Sequence, residues 1–202
     1  MKYTGPKVRL SRQLGIALTP KAARVMEKKA YPPGMHGKMQ QFKRKESDYR
    51  KQLVEKQRLR AQYNVHERQL QNYFRKAAGK AGNTVDNLVE LLETRLDMMV
   101  LRAGLARTIY AARQYVSHGH FEVNGKRVNI PSYNMREGDT LAVREKSRNM
   151  PCFADALEST AMAPSYLSVS PSEFSARLVT LPKREDVNLM CEISLVIEFY
   201  SR

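Results

Sequence analysis

The chain has 202 residues, 42% of them apolar, so it can bury a core and is not a disordered tail. It carries 35 Lys/Arg against 20 Asp/Glu, a formal net charge of +15, and no apolar run approaches the roughly twenty residues of a membrane-spanning helix. A membrane span is excluded by this reading, and a polyanionic partner is indicated, nucleic acid before any other.

Charge is graded along the chain. Residues 1–60 hold 17 Lys/Arg and 4 Asp/Glu, a net of +13, whereas residues 151–202 hold 4 and 7, a net of −3. A net of +13 over sixty residues repels itself without a counter-charge, so the first third reads as a basic arm or face that grips a backbone. "MKYTGPKVRLSR" has no apolar core of the secretory kind. The two cysteines, Cys152 and Cys191, suit a reducing compartment and leave one disulfide open.

Early in the chain, "TPKAARVMEKKA" predicts a short helix with Thr19 as N-cap and Pro20 at its first position. "YPPGMHGK" (31–38) holds two prolines and two glycines, which predicts a rigid extended loop and no helix. Tyr3, Tyr31 and Phe42 stand among the arginines as rings that can stack on unpaired bases. Ser47 caps a strongly basic helix in "SDYRKQLVEKQRLRAQY", with Tyr49, Leu53 and Lys56 along one side. "VHERQLQNYFRKAAG" follows with a clearer apolar stripe, stopped by Gly79 and Gly82.

Thr84 is the expected cap of one long helix, "VDNLVELLETRLDMMVLRAG", with Leu88, Val89, Leu92, Leu96 and Met99 as its core face. Arg95 and Asp97 then read as charges on the helix surface. A second helix begins after Thr108 and ends at Gly119. It has Ile109, Ala112 and Val116 on one side, with Tyr110, Arg113, Gln114 and Ser117 opposite. Asn124-Gly125 predicts a two-residue hairpin turn. "KRVNI" is the return strand with Val128 and Ile130 inward, and "TLAVRE" a third strand with Leu141 and Val143 inward. In "CEISLVIEFYSR", Ile193, Leu195, Ile197 and Phe199 alternate with polar residues, which predicts a half-buried strand.

His118-Gly119-His120 falls short of a metal site, which needs three or four ligands at recognisable spacing. One of these histidines can cap the helix end, or both can meet RNA. No catalytic pattern stands out, so the reading is a non-enzyme without cofactor, metal, membrane or small-molecule substrate. The side chains of Arg107, Arg113, Gln114, His118, His120, Asn124 and Lys126 are expected to form one RNA-facing surface. Arg113, opposite the packed side, is expected to serve affinity and not stability.

"LLETRLDMMVLRAGLARTIYAARQYVSHGHFEVNGKRVNIPSY" resembles the RNA-binding module named after small-subunit ribosomal protein four. The module also occurs in free RNA-modification and stress factors, which is the alternative reading. The flanks "YTGPKVRLSR", "YPPGMHG", "SDYRKQLVEKQRLRAQY", "ERQLQNYF" and "VIEFYSR" resemble the ribosomal family itself, in its bacterial-type or organellar form. With no cysteine before Cys152, the resemblance is to zinc-free members.

That resemblance implies an α+β fold in three stretches. Residues 1–82 form a basic arm and helical domain, and residues 83–146 the RNA-binding module of two helices, hairpin and antiparallel strands. Residues 147–202 are strands completing the sheet, with a tail that packs on the helical domain. The resemblance also implies direct binding of small-subunit (16S-type) rRNA, early assembly of the subunit body, and contact with neighbouring small-subunit proteins. A contribution to translational accuracy beside mRNA, where it enters, is implied as well. Lys7, Arg9, Arg12, His36, Lys43, Arg44 and Lys45 complete the expected RNA-binding set. The implied location is the cytoplasmic ribosome, with an organellar ribosome as the open alternative.

Overall fold

A computed structural model describes residues 3–40, 47–153 and 163–202. Contacts divide the chain into two compact units, Met1–Phe74 with Leu189–Arg202, and Arg75–Asn188. The fold is α+β, and no described helix is long and apolar enough to cross a membrane.

The first unit is helical: α1 (Lys7–Leu14), α2 (Pro20–Lys28), α3 (Gly37–Gln40), α4 (Asp48–Gln62) and α5 (Glu67–Ala78). The last of these carries the chain into the second unit. Local chemistry sets several boundaries. Thr19 accepts from the Ala22 N–H at 3.2 Å, with Pro20 leading α2, and Ser47 accepts from the Arg50 N–H at 3.4 Å at the head of α4. The expectation of no helix in 31–38 holds only for the proline-rich part, because Gly37 and Lys38 open a single helical turn. The turn is possible because Gly37 is buried against the Pro32 carbonyl, where any Cβ would collide.

The largest correction concerns the end of the chain. Residues Ile193–Tyr200 form a helix, α10, not a strand. Alternation at 193, 195, 197 and 199 fits a strand, but Ile193, Val196, Ile197 and Tyr200 also fall at i, i+3, i+4 and i+7. Packing on α4 decides for the helix. In return α4 buries Gln52, Lys56, Leu59 and Gln62, a mostly polar side that differs from the expected Tyr49–Leu53–Lys56 face.

Each buried polar side chain on that side has a partner, although Gln52 Oε1 accepts no bond among the described residues. Gln52 donates to Glu198 at 2.8 Å, and the Met190 N–H donates to Gln62 at 3.1 Å. Lys56 donates to Glu67 at 2.7 Å and lies 4.4 Å above the Phe199 ring. The Tyr200 hydroxyl donates to the same Glu67 oxygen at 2.8 Å, and its ring stacks on Phe74 at 5.1 Å.

The second unit has α6 (Thr84–Glu93), α7 (Leu96–Arg102), α8 (Ile109–Ser117), β1 (Phe121–Val123), β2 (Lys126–Arg127) and β3 (Thr140–Val143). They are followed by α9 (Glu145–Arg148), a helical turn at 151–153, β4 (Leu167–Ser170) and β5 (Ser175–Leu178). The strands form one antiparallel sheet in the order β2-β1-β3-β5-β4. Register aligns Phe121 with Val143, Val123 with Leu141, Leu141 with Ala176, and Leu167 with Leu178. All of these side chains are buried, which is the period-two logic of a one-sided sheet. Leu88, Val89, Leu92, Leu96, Met99, Ile109, Ala112 and Val116 supply the helical part of this core.

Three expectations are revised in this unit. Asn83, not Thr84, is the N-cap of α6, accepting from the Val85 N–H at 3.0 Å. The long helix is two, broken where Arg95 turns extended at φ −64°, ψ 140°. β2 holds only Lys126 and Arg127, so Val128 is half-buried and Ile130 is exposed. The chain after β2 leaves the ladder and docks on the start of α7. There the Pro131 and Tyr133 carbonyls accept from the Asp97 and Leu96 N–H groups at 3.2 and 2.8 Å.

Candidate nucleic-acid interface

In the first unit, Arg9 and His36 are exposed and Lys7 is half-buried. Arg12 has a structural tie. Its guanidinium donates to the Tyr31 carbonyl at 2.9 and 3.2 Å and lies 4.9 Å over the Tyr31 ring, stapling α1 to the proline loop. Phe42, Lys43, Arg44 and Lys45 lie outside the described residues.

The second unit gathers the other expected residues along α8 and its hairpin. Thr108 caps α8 by accepting from the Ala111 N–H at 3.2 Å. Ile109, Ala112 and Val116 are buried as expected, so the opposite side is turned outward. Arg107 and Gln114 are exposed there. His118 is the last residue before the left-handed Gly119 (φ +73°), which ends the helix and starts the hairpin. Asn124 and Gly125 take φ of +50° and +73°, the two positive values that such a turn needs, and leave Lys126 exposed beside it.

Two of these residues have work inside the fold. The Asn124 amide donates to Asp139 at 2.8 Å and accepts from the Thr140 N–H at 2.9 Å, which locks the hairpin to β3. Arg113 is not free of structural contact, contrary to expectation. Its side chain is only 18% exposed, and its guanidinium lies 4.0 Å from Asp97.

Asp97 and Arg95 form a fully buried bidentate pair, with Arg95 donating at 3.0 and 2.7 Å. The surface placement expected for both is therefore overturned. Burial pushes the Asp97 carboxyl above its ordinary value, against the pull of Arg95 and Arg113. A second buried carboxylate, Glu93, is held by Arg102 at 2.9 and 3.0 Å and by the Tyr166 hydroxyl at 3.0 Å. No sequence signal marks either network, because their members look like ordinary helix charges and Tyr166 is remote in the chain.

Arg127 and Arg144 were missed by sequence reasoning. The fold brings both to the Gly119 turn, beside His118 and His120. Arg127 follows Lys126 in the hairpin, and register opposite Glu122 would have placed it on that edge. Arg144 arrives from β3 through its N–H bond to the His120 carbonyl at 3.0 Å, which is not visible in the sequence. His120 is half-buried, with its Nδ1 3.0 Å from the Ser147 hydroxyl. Burial first, then the charges of His118, Arg144 and Arg127, hold its pKa below the ordinary imidazole value. No group of three or more metal-ligating side chains occurs among the described residues.

A basic helical unit, continued by paired helices, a tight hairpin and an antiparallel sheet with cations along α8, defines an RNA-binding class of protein. Family models agree in detail. Residues 2–93 match the ribosomal protein S4/S9 N-terminal domain, and residues 94–141 match the S4 domain. The chain is 50% identical over 200 residues to small ribosomal subunit protein uS4 of Micrococcus luteus, covering 96% of this chain and 95% of that one. It is 47% identical over 201 residues to the uS4 protein of Geobacillus stearothermophilus, covering 100% and 99%. With the uS4 protein of Thermobifida fusca it shares 45% over 205 residues, covering both chains in full. The chain belongs to the uS4 family.

Proposed function

We propose that the chain is a structural, non-catalytic protein of the small ribosomal subunit that binds 16S-type rRNA directly. The observation that carries this reading is the full-length family match, spanning both the basic helical part and the RNA-binding module. A free factor that carries only the module would lack the first of these. The cations of α8 and its hairpin, with Lys7, Arg9 and His36 of the first unit, are the proposed contact residues. Phosphates are met by arginine and lysine, while register on the RNA is set by Gln114 and the hairpin.

The finer role follows the family. In a cytoplasmic ribosome the protein nucleates assembly of the subunit body, touches neighbouring small-subunit proteins, and contributes to accuracy where mRNA enters. Lys43, Arg44 and Lys45, outside the described residues, are kept among the proposed RNA contacts. The test is sedimentation of a cell lysate through high-salt gradients. The protein is expected with small subunits in near-equal stoichiometry. Release into the soluble fraction, with small subunits intact, would overturn the structural role.

A further inference from the structure

The turn between α8 and β1 gathers four basic side chains from three places in the chain. His118 ends α8, His120 follows Gly119, Arg127 comes from β2, and Arg144 leaves β3. Two of them lie against the Gly119 backbone. The Arg127 guanidinium lies so close on Gly119 that a Cβ there would collide with it. Arg144 donates through Nη1 to the Gly119 carbonyl at 3.4 Å. The two imidazoles are 5.9 Å apart.

Among the described residues this crowding has no counter-charge within ion-pair distance. Glu122 is the register partner of Arg127. Yet among the described residues no carboxylate comes within 4.0 Å of Arg127, Arg144 or either histidine. The contrast with Arg95 and Arg102, each forked onto a buried carboxylate in the same unit, is direct. Like charges held together at a rigid turn raise the local potential and suit a compact oxyanion that accepts several N–H bonds at once.

We propose that the Gly119 turn is the seat of one backbone phosphate of rRNA, with Arg127 and Arg144 as permanent charges and His120 as a charge recruited on binding. The proposal rests on the rRNA-binding reading above and adds a place and a proton to it. Among the described residues, the groups facing His120 are His118 from the same turn, Arg127 from β2, Arg144 from the end of β3, Ser147 of α9, and the rings of Tyr115 and Phe153. None of them is an anion. Burial first, and then the repulsion of its cationic neighbours, disfavour protonated His120; an arriving phosphate offsets the repulsion, so binding takes up a proton, and affinity rises as pH falls from 8 to 6.

The experiment uses the full chain and purified 16S-type rRNA in filter binding, over a range of salt, at pH 6 and pH 8. The double variant Arg127→Gln, Arg144→Gln is expected to bind about tenfold more weakly. Its slope of log affinity against log salt should be shallower by roughly one, for the single phosphate no longer neutralised. Wild type should bind more tightly at pH 6, and His120→Gln should lose most of that gain. A folded double variant with unchanged affinity and slope overturns the phosphate seat while leaving the rRNA reading intact. Wild type that fails to bind rRNA at low salt sinks the rRNA reading itself. If the double variant does not fold, wild type decides: equal affinity at the two pH values overturns the proposal. Polyglutamate and inorganic phosphate serve as competitors. Competition by polyglutamate as strong as by polyuridylate would assign the seat to an acidic protein and overturn it. Competition by inorganic phosphate only far above the RNA phosphate concentration supports a strand-borne ligand, and equal competition overturns it.

Discussion

The two units solve the same packing problem with different side chains. In the second unit, apolar residues at helix and strand periods meet across α6, α7, α8 and the sheet. In the first unit, the α4–α10 contact is laid over Gln52, Lys56 and Gln62, each with a specific polar or aromatic partner. An apolar face is satisfied by many neighbours, whereas a polar one is satisfied by few and so fixes a single docked arrangement. The exceptions in the second unit, Arg95–Asp97 and Glu93–Arg102–Tyr166, sit where α6 gives way to α7. There the chain breaks a helix inside its core, and the charges satisfy each other.

The comparison breaks most sharply at Asp97. Asp97→Ala leaves the Arg95 guanidinium buried without its partner, and is expected to cost about 3–5 kcal/mol in urea unfolding. An effect below about 1 kcal/mol would show that the pair is dispensable. Lys56→Met removes the charge from the α4–α10 contact at similar volume. The expected loss is about 1–2 kcal/mol, from the Glu67 bond and the Phe199 ring contact. Equal or greater stability would mean that apolar packing suffices there too.

Arg113→Ala sharpens the contrast between core and surface, because the residue belongs to both. A loss of about 1 kcal/mol in stability is expected together with weaker rRNA binding. Affinity left untouched would assign the guanidinium wholly to Asp97.

The smallest effect is one of pH. Burial raises the Glu67 pKa, but bonds from Lys56 and Tyr200 and the charges of Lys56 and Arg60 outweigh it, leaving the pKa below its ordinary 4.5. Stability from this carboxylate is complete above that value and is lost as pH falls through the lowered one. Thermal melts of wild type should therefore fall more steeply below pH 4.5 than melts of Glu67→Gln. Parallel curves would remove Glu67 from the account.

What could be read in the sequence was what local chemistry decides. Thr19, Ser47 and Thr108 cap helices because a hydroxyl reaches the N–H three residues on. Asn124-Gly125 turns because both residues tolerate positive φ. The buried side of α8 followed from spacing alone. The helix break at Arg95 stayed hidden because Leu92, Leu96 and Met99 keep a helical period straight across it. α10 was misread because its apolar residues satisfy both periods, and only α4 arbitrates. The part of the interface built on Arg127 and Arg144 depends on a strand register and a turn that meet in space. Asn124 and Arg113 were recognised as polar and outward, but their ties to Asp139 and Asp97 cross stretches of chain that no local pattern links.

The return of residues 189–202 to the first unit has a kinetic meaning. Gln52 waits for Glu198, 146 positions later, and Glu67 waits for Tyr200, 133 positions later. All of the second unit is synthesised between these partners and needs none of them, so it can close as a contiguous piece while α4 still lacks its cover. Long-range closure of this kind is slow. During that interval the polar side of α4 stays uncovered, and it closes only when the last helix arrives.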